Sequence, residues 1–399
     1  MNRMNKFRRN IRLDYIHTLF RNFNLTHGIW LIYLASKGFS FFEIGLFEGI
    51  FHLSSITMEV PTGMIADILG RKISRVLGVV TFILYILLLL IGNSFLVIGI
   101  AFFLCGLAYT FESGSGEALV YDSLILINEE QRYMKVMGYK EILFQLSNSI
   151  ALVVGGYLAI RAMEWNFYLM FLVFAIALVP ILMMRETMEK RNIEKHDFRS
   201  EMYNQFIKST KTVFSSKHLM FLLISGALMA APITTLFFYL QNHLTNLEYS
   251  FIAIGWLLGV HSVVSSLGGL FAQRIEKIFR EKLIIYIIPI FIVALIWLVQ
   301  IESLVFISFS LLGFFDAVLY IVLNDYINRV IPSDQRATIL SFGSLAFSIV
   351  MILIFPLVGF LGDTYGLPVG FLALAIIVSL SYLGLLLSLR GNNIFKEFS

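Results

Sequence analysis

The chain has 399 residues, is 58% hydrophobic and only 14% charged, and has a mean hydropathy of +0.82. A soluble domain of that length cannot bury so much apolar surface, which excludes a soluble globular fold and leaves a lipid bilayer as the solvent. The formal charge of +4 does not point to nucleic acid, because the basic residues are spread between apolar runs rather than gathered on one surface. Cys105 is the single cysteine, so no internal disulfide is possible.

A membrane-spanning helix needs about 20 apolar residues. Twelve segments satisfy this: 14–36, 41–65, 73–92, 95–124, 137–160, 165–185, 218–242, 250–273, 282–300, 302–328, 338–361 and 367–390. The first follows a basic stretch, as a signal peptide would, but it is too long for a signal core and lacks a small-x-small cleavage site. It is therefore expected to be the first membrane helix. It carries Arg21, with His17, Asn24 and Gly28 on roughly the same side. The second span carries Glu48, His52 and Glu59, at about 0°, 40° and 20° around a helix, with Ser55 beside them. That spacing predicts a polar stripe through the membrane. The fourth span holds Glu112 and Glu117 on different faces, flanked by Ser113 and Ser115, and the tenth holds Asp316.

Residues 186–217 form the one long polar stretch, near the middle of the chain. The expected division is a six-helix bundle over 1–185, a central loop over 186–217 and a second six-helix bundle over 218–399. With the N-terminus inside, 27 of the 30 Lys and Arg fall in cytoplasmic segments or at the cytoplasmic ends of the spans; Lys37 and Arg161 fall outside, and Arg21 lies deeper within a span. The positive-inside rule therefore predicts both termini in the cytoplasm. The halves also echo each other. Gln131-Arg132, Gly138, Ala66 and Gly155 match Gln335-Arg336, Gly343, Ala272 and Gly359 at nearly constant offsets. Such a repeat in a transporter puts the substrate site between the halves near the midplane.

Between the second and third spans the sequence reads Gly63-Met64-Ile65-Ala66-Asp67-Ile68-Leu69-Gly70-Arg71-Lys72. This resembles the Gly-x-x-x-Asp-x-x-Gly-Arg-Lys signature of the major facilitator superfamily. A degraded copy, Gly269 to Lys277, occupies the corresponding place in the second half. The resemblance implies an all-α integral membrane protein: twelve transmembrane helices in two six-helix pseudo-symmetric bundles, the major facilitator fold. The physical logic is independent of the family. Glycines allow tight turns and close helix approach, Asp67 favours a neighbouring helix N-terminus, and Arg71 and Arg75 require carboxylate partners. Asp122 is the expected partner, and Asp325 its counterpart facing Arg274. Gly63, Asp67, Gly70, Arg71, Lys72, Arg75, Asp122, Arg274 and Asp325 are thus read as a cytoplasmic gate. The alternative is ordinary loop charge that sets topology.

An ionisable group at the bilayer centre costs roughly 2.5–3.5 kcal/mol or more unless paired or hydrated. Arg21 cannot readily lose its proton, so a carboxylate is expected beside it, with Glu48, Glu112 and Glu117 as candidates. A buried acid without a cation binds and releases protons nearer neutral pH. Arg21, Asn24, Glu48, His52, Glu59, Glu112, Glu117 and Asp316 are therefore candidates for proton coupling or the substrate cavity, with Glu59 and Glu117 favoured as proton carriers. The alternative is a set of static pairs that fix packing.

Glu59-x-Pro61, then Asp67, then Arg71-Lys72 further resembles the extended motif of class P tetracycline efflux proteins of Gram-positive bacteria. That resemblance implies functional weight for these five residues. Two departures stand against it: the fifth span has Gly155-Gly156 without the usual Gly-Pro, and the fourth lacks the usual arginine. No Walker-type phosphate loop is present, and the histidines show no ligand spacing. The expected function is proton-coupled export of an amphipathic small molecule from a bacterial cytoplasmic membrane, with no cofactor beyond the proton gradient and no enzymatic activity. Proton-coupled uptake or exchange of a metabolite is the second reading, and a non-transporting sensor the third. The expected partners are a small-molecule substrate, protons and the lipid bilayer. The protein is expected to be a monomer without metal or nucleic acid.

Overall fold

The computed structural model describes residues 3–187, 208, 210–331 and 336–391. All secondary structure among them is helical. The chain divides into two compact units. The first holds residues 1–192 with 244–259, and the second 193–243 with 260–399. Much of the central loop, and Gln335 of the repeat, lie outside the described residues.

The first unit contains α1 (Arg3–Arg21), α2 (Trp30–Ser36), α3 (Phe41–Leu69), α4 (Arg71–Ile91), α5 (Phe95–Glu112), α6 (Ser115–Ile125), α7 (Tyr133–Ala159) and α8 (Glu164–Met183). The second is built from α9 (Lys217–Asn246), α10 (Phe251–Leu298), α11 (Val305–Val330), α12 (Arg336–Tyr365) and α13 (Leu367–Gly391), less the stretch 244–259. Nine described stretches are long and apolar enough to cross a bilayer. The remaining three of the twelve spans fall short for separate reasons. The first is broken, the second carries the Glu48–His52–Glu59 stripe, and the ninth, Leu283–Leu298, is the last part of the long helix α10.

Three expected boundaries are corrected. The span 14–36 is two helices, because α1 stops at Arg21 and α2 starts at Trp30. Local side chains take over the freed backbone there. Asn22 Nδ2 donates to Thr18 O at 2.7 Å, and Asn24 Oδ1 accepts from Thr26 N at 3.1 Å and Thr26 Oγ1 at 2.8 Å. Asn and Thr compete with helical hydrogen bonding in this way. The span 95–124 breaks at Ser113-Gly114, where Gly114 has φ of 60°, a conformation open to glycine at little cost. The spans 250–273 and 282–300 have no loop between them, since helical bonding runs from Phe251 to Leu298. The connecting stretch is rich in Lys, Arg, Glu and Ile and contains neither glycine nor proline to stop it.

The broken stretch of the first span rests on α7. A Cβ on Gly155 would sit 2.7 Å from the Leu25 carbonyl oxygen. Asn166 of α8, fully buried, turns its amide nitrogen to the same carbonyl at 3.0 Å. One residue on, Gly156 lies against the Phe251 carbonyl and the backbone of Gly255. This backbone-to-backbone approach explains why residues 244–259 belong with the first unit rather than with the rest of the second half. Glycine is required at both positions because any side chain would collide with backbone, which cannot rotate away.

Gly155→Ala is therefore expected to destabilise the protein by about 1–3 kcal/mol, the usual cost of overpacking. Gly138→Ala is the control, since nothing lies within 4 Å of a Cβ there, and it should be neutral or slightly stabilising. Thermal unfolding of the purified detergent-solubilised protein reads both. Equal effects would remove the steric argument.

Candidate functional site

The break after α1 leaves Arg21 in the last turn of that helix, where the helix dipole favours a cation. Irregular backbone at membrane depth is tolerated where it lines a cavity, and here it does. Arg21, Asn22, Asn24 and His27 line a cavity of about 210 Å³ with Tyr109 and Glu112 of α5, Phe82 of α4, Phe144 and Asn148 of α7, and Phe174 of α8. One wall is polar and the other aromatic, with Phe82 and Phe174 stacked at 4.1 Å. The Arg21 guanidinium lies 5.4 Å from the centre of the Tyr109 ring. Contrary to expectation it makes no ion pair with any described carboxylate. The carboxylate closest to the role, Glu112, is taken by another arginine.

That arginine is Arg75 of α4, which has no exposed surface. Its Nη2 donates to Glu112 Oε1 at 2.8 Å, and its Nε reaches both Glu112 oxygens at 3.1 Å. Its Nη1 lies 2.8 Å from Asp14 Oδ1 of α1. Lys140 of α7 holds the other Asp14 oxygen at 2.9 Å, and His17 Nε2 stands 3.6 Å from Glu112. Two cations thus face two carboxylates across four helices. The expectation that Arg75 pairs with Asp122 is corrected, because its side chain points into the bundle and away from the loop. Sequence reasoning passed over Asp14 and Lys140. Both sit near span ends, where a charge reads as topology, and only packing shows that they turn inward.

The signature loop forms a second cluster. Arg71 Nη1 lies 2.9 Å from Asp122 Oδ2. Gly70 takes φ of 106°, and a side chain on it would collide with the Glu186 carboxylate. Glu186 accepts from Lys72 N at 2.9 Å and so caps the start of α4. Lys72 Nζ donates to Leu182 O at 2.7 Å, and Thr187 Oγ1 reaches Asp122 at 3.3 Å. Asn10 exchanges bonds of 2.8 and 2.9 Å with the Arg185 backbone. The chain leaving α8 is therefore strapped beneath the loop, which nothing in the motif itself reveals. Asp67 is half-buried, and Gly63 has open space around it. Nearby, Arg8 and Arg132 both bond Glu129; the Arg8 bond holds its carboxyl below the usual range.

The remaining acids separate by environment. Glu48 and His52 are buried, with 3.5 Å between carboxylate and ring nitrogen. Glu59 is exposed and accepts from Ser113 Oγ at 3.0 Å, so the three do not form one uniform stripe. Glu117 is exposed beside the Tyr133 hydroxyl. In the second unit, Arg274 lies over the Phe271 ring at 5.6 Å and makes no ion pair with Asp325, which corrects that expectation. Asp316 of α11 has no ion-pair or hydrogen-bond partner among the described residues. Its neighbour Phe315 stacks on Phe291 at 4.7 Å. Elsewhere in that unit His261 Nδ1 donates to Phe309 O, 2.8 Å away, and the ring stacks on that of Phe309.

A multi-pass helical membrane protein with a signature loop and a cavity at a broken helix is the architecture of a secondary transporter. The sequence profile of the Major Facilitator Superfamily matches residues 18–296 and 241–393, and the chain belongs to that superfamily. It is a transporter of small molecules, not an enzyme. An uncharacterised MFS-type transporter of Bacillus subtilis (strain 168), YxaM, is 23% identical over 361 residues, spanning 87% of this chain and 88% of the relative. The fold is similar to that of the nucleoside transporter NupG, with a TM-score of 0.76, 14% identity, and 99% of this chain and 100% of the other covered. It is also similar to a D-xylose–proton symporter, with a TM-score of 0.70, 11% identity, and 95% and 97% covered.

Removing one partner of a buried ion pair strands the other and costs about 3–5 kcal/mol. Arg75→Met should destabilise the protein by that amount. Arg75→Met with Glu112→Leu should recover more than half, because Lys140 still serves Asp14. Thermal unfolding tests this, and a double variant no better than the single one would refute the pairing.

Proposed function

We propose that the protein is a proton-coupled secondary transporter that exports an amphipathic small molecule by alternating access. The observation that carries this reading is the cavity at the broken first span, which sets polar groups and three phenylalanines around one enclosed volume. Pockets with mostly apolar walls and a few convergent polar groups take small organic ligands. Discontinuous helices at such a site are a recurring device of transporters. The resemblance of the Glu59–Pro61–Asp67–Arg71–Lys72 pattern to a drug-efflux motif supports export over uptake. The bias of basic residues supports cytoplasmic termini in a bacterial cytoplasmic membrane. The Arg71–Asp122 pair and the Glu186 cap supply contacts that a gate would make and break.

For proton coupling, the sorting of acids shifts the weight. Glu112 is committed to Arg75, and Glu48 has His52 beside it. Glu59 and Glu117 are exposed with hydroxyl neighbours. Asp316 has no cation to balance it among the described residues, and a lone carboxyl among apolar groups is the kind of site where a proton does the balancing. Asp316 is therefore assigned as the principal proton carrier, with Glu59 retained as the second candidate.

Cells expressing the protein should accumulate less of an amphipathic fluorescent drug, and a protonophore should abolish the difference. Asp316→Asn should remove most of the proton-dependent component, as expected for the principal carrier, without lowering the amount of folded protein. Greater accumulation would assign uptake instead, and unchanged transport in Asp316→Asn would clear that residue of the role.

A further inference from the structure

The cavity lining holds one arginine, Arg21, and one carboxylate, Glu112. The two carboxylates and two cations of the Asp14–Arg75–Glu112–Lys140 cluster neutralise one another, and both Glu112 oxygens are engaged by Arg75. Arg71 has Asp122. Arg21, the arginine of the cavity lining, has no carboxylate within ion-pair distance among the described residues; Glu112 acts on it, and Glu48 on the neighbouring Tyr109, only at longer range. The Tyr109 ring face supports its guanidinium without discharging it. Beside it, Asn24 spends its carbonyl oxygen on Thr26 N and Thr26 Oγ1. The backbone N–H fixes which end of that amide is the oxygen, so its NH₂ end is left as a donor in the cavity wall. The cavity therefore offers a guanidinium without a direct ion pair, an amide donor, and the aromatic side chains of Phe82, Phe144 and Phe174.

We infer that the cavity selects organic anions: a carboxylate or phosphate bound by Arg21 and Asn24, carried on an apolar or aromatic body held by the phenylalanines. This rests on the reading of the cavity as the transport site and adds to it the charge of the cargo. A guanidinium matches planar oxyanions in two-point geometry. A cation bound there would add to the charge of Arg21, and a neutral ligand would leave it unpaired in a low-dielectric setting. The position of Arg21 at the end of α1, with its side chain against Tyr109, gives the anion a fixed mark.

The test uses three compounds with one ring system and three charges: 2-naphthoate, 2-naphthalenemethanol and 2-naphthalenemethylamine. Isothermal titration on the full-length protein in nanodiscs should give naphthoate roughly ten-fold tighter binding than the alcohol or better, with the amine weakest. Arg21→Gln should erase that preference, and Arg21→Lys, which keeps the charge, should retain part of it. Equal binding of all three, tighter binding of the amine, no binding of any, or an unchanged preference in Arg21→Gln would each overturn the inference. Loss of preference in Arg21→Lys as well as Arg21→Gln, with both variants monodisperse, still supports it and adds that the planar fork is needed. Uptake into proteoliposomes separates the two readings. Charge-selective binding without any translocation would leave the anion site standing and refute the cavity as the transport site.

Discussion

Arg75 carries a full positive charge with no exposed surface, and its guanidinium reaches carboxylates on two other helices. An unpaired charge at that depth would cost several kcal/mol. The first unit is therefore constrained to bring α1 and α5 to α4 at one level, and Lys140 extends the constraint to α7. Apolar side chains slide past one another at little cost in lipid, because lipid solvates them equally well. A four-membered ionic cluster does not slide. It fixes the register of these helices, and the positions of Arg21 and Glu112 around the cavity follow from that register.

The break in the first span follows from the same frame. With α1 anchored through Asp14, and the chain after it set against Gly155 of α7, the intervening residues cannot continue a straight helix. Asn22, Asn24 and Thr26 satisfy the freed backbone locally, and Asn166 covers Leu25 O from α8. The glycine pair Gly155-Gly156 thus serves two approaches, one to this broken segment and one to Gly255. The proline missing from this helix is not needed to make room, since the glycines already remove both side chains that would collide.

Much of the fold was legible in the sequence because burial in lipid is a property of single segments: about twenty apolar residues announce a span wherever they fold. The meeting of Arg71 with Asp122 is legible for a similar reason, since the start of one span and the end of the next fall on the same side of the bilayer when spans alternate. The Arg75 and Arg21 pairings were not. Charge spacing ranks possible partners but does not say which way a side chain leaves its helix, and Arg75 leaves inward. The break in the first span did carry a signal, the Asn22–Asn24–Thr26–His27–Gly28 run inside an apolar stretch. Hydropathy averaged over the span concealed it. Glu186 looked like one charge in a polar linker, and only its position opposite Gly70 gives it a role.

The intramembrane charges now fall into two kinds, and the difference is physical. Those in the Arg75 cluster are compensated, so their worth lies in where they hold the helices. A ligand or a proton would have to displace a partner to engage them. Arg21 in the first unit and Asp316 in the second have no direct ion pair among the described residues. A static packing role accounts for the first kind and supplies no partner for the second. On the proposals made above, an anion at Arg21 and a proton at Asp316 would supply the missing partners with species that come and go. The neutral cluster in the first unit holds Arg75 and Lys140 on their own carboxylates, and under the anion proposal it would leave Arg21 to the cargo.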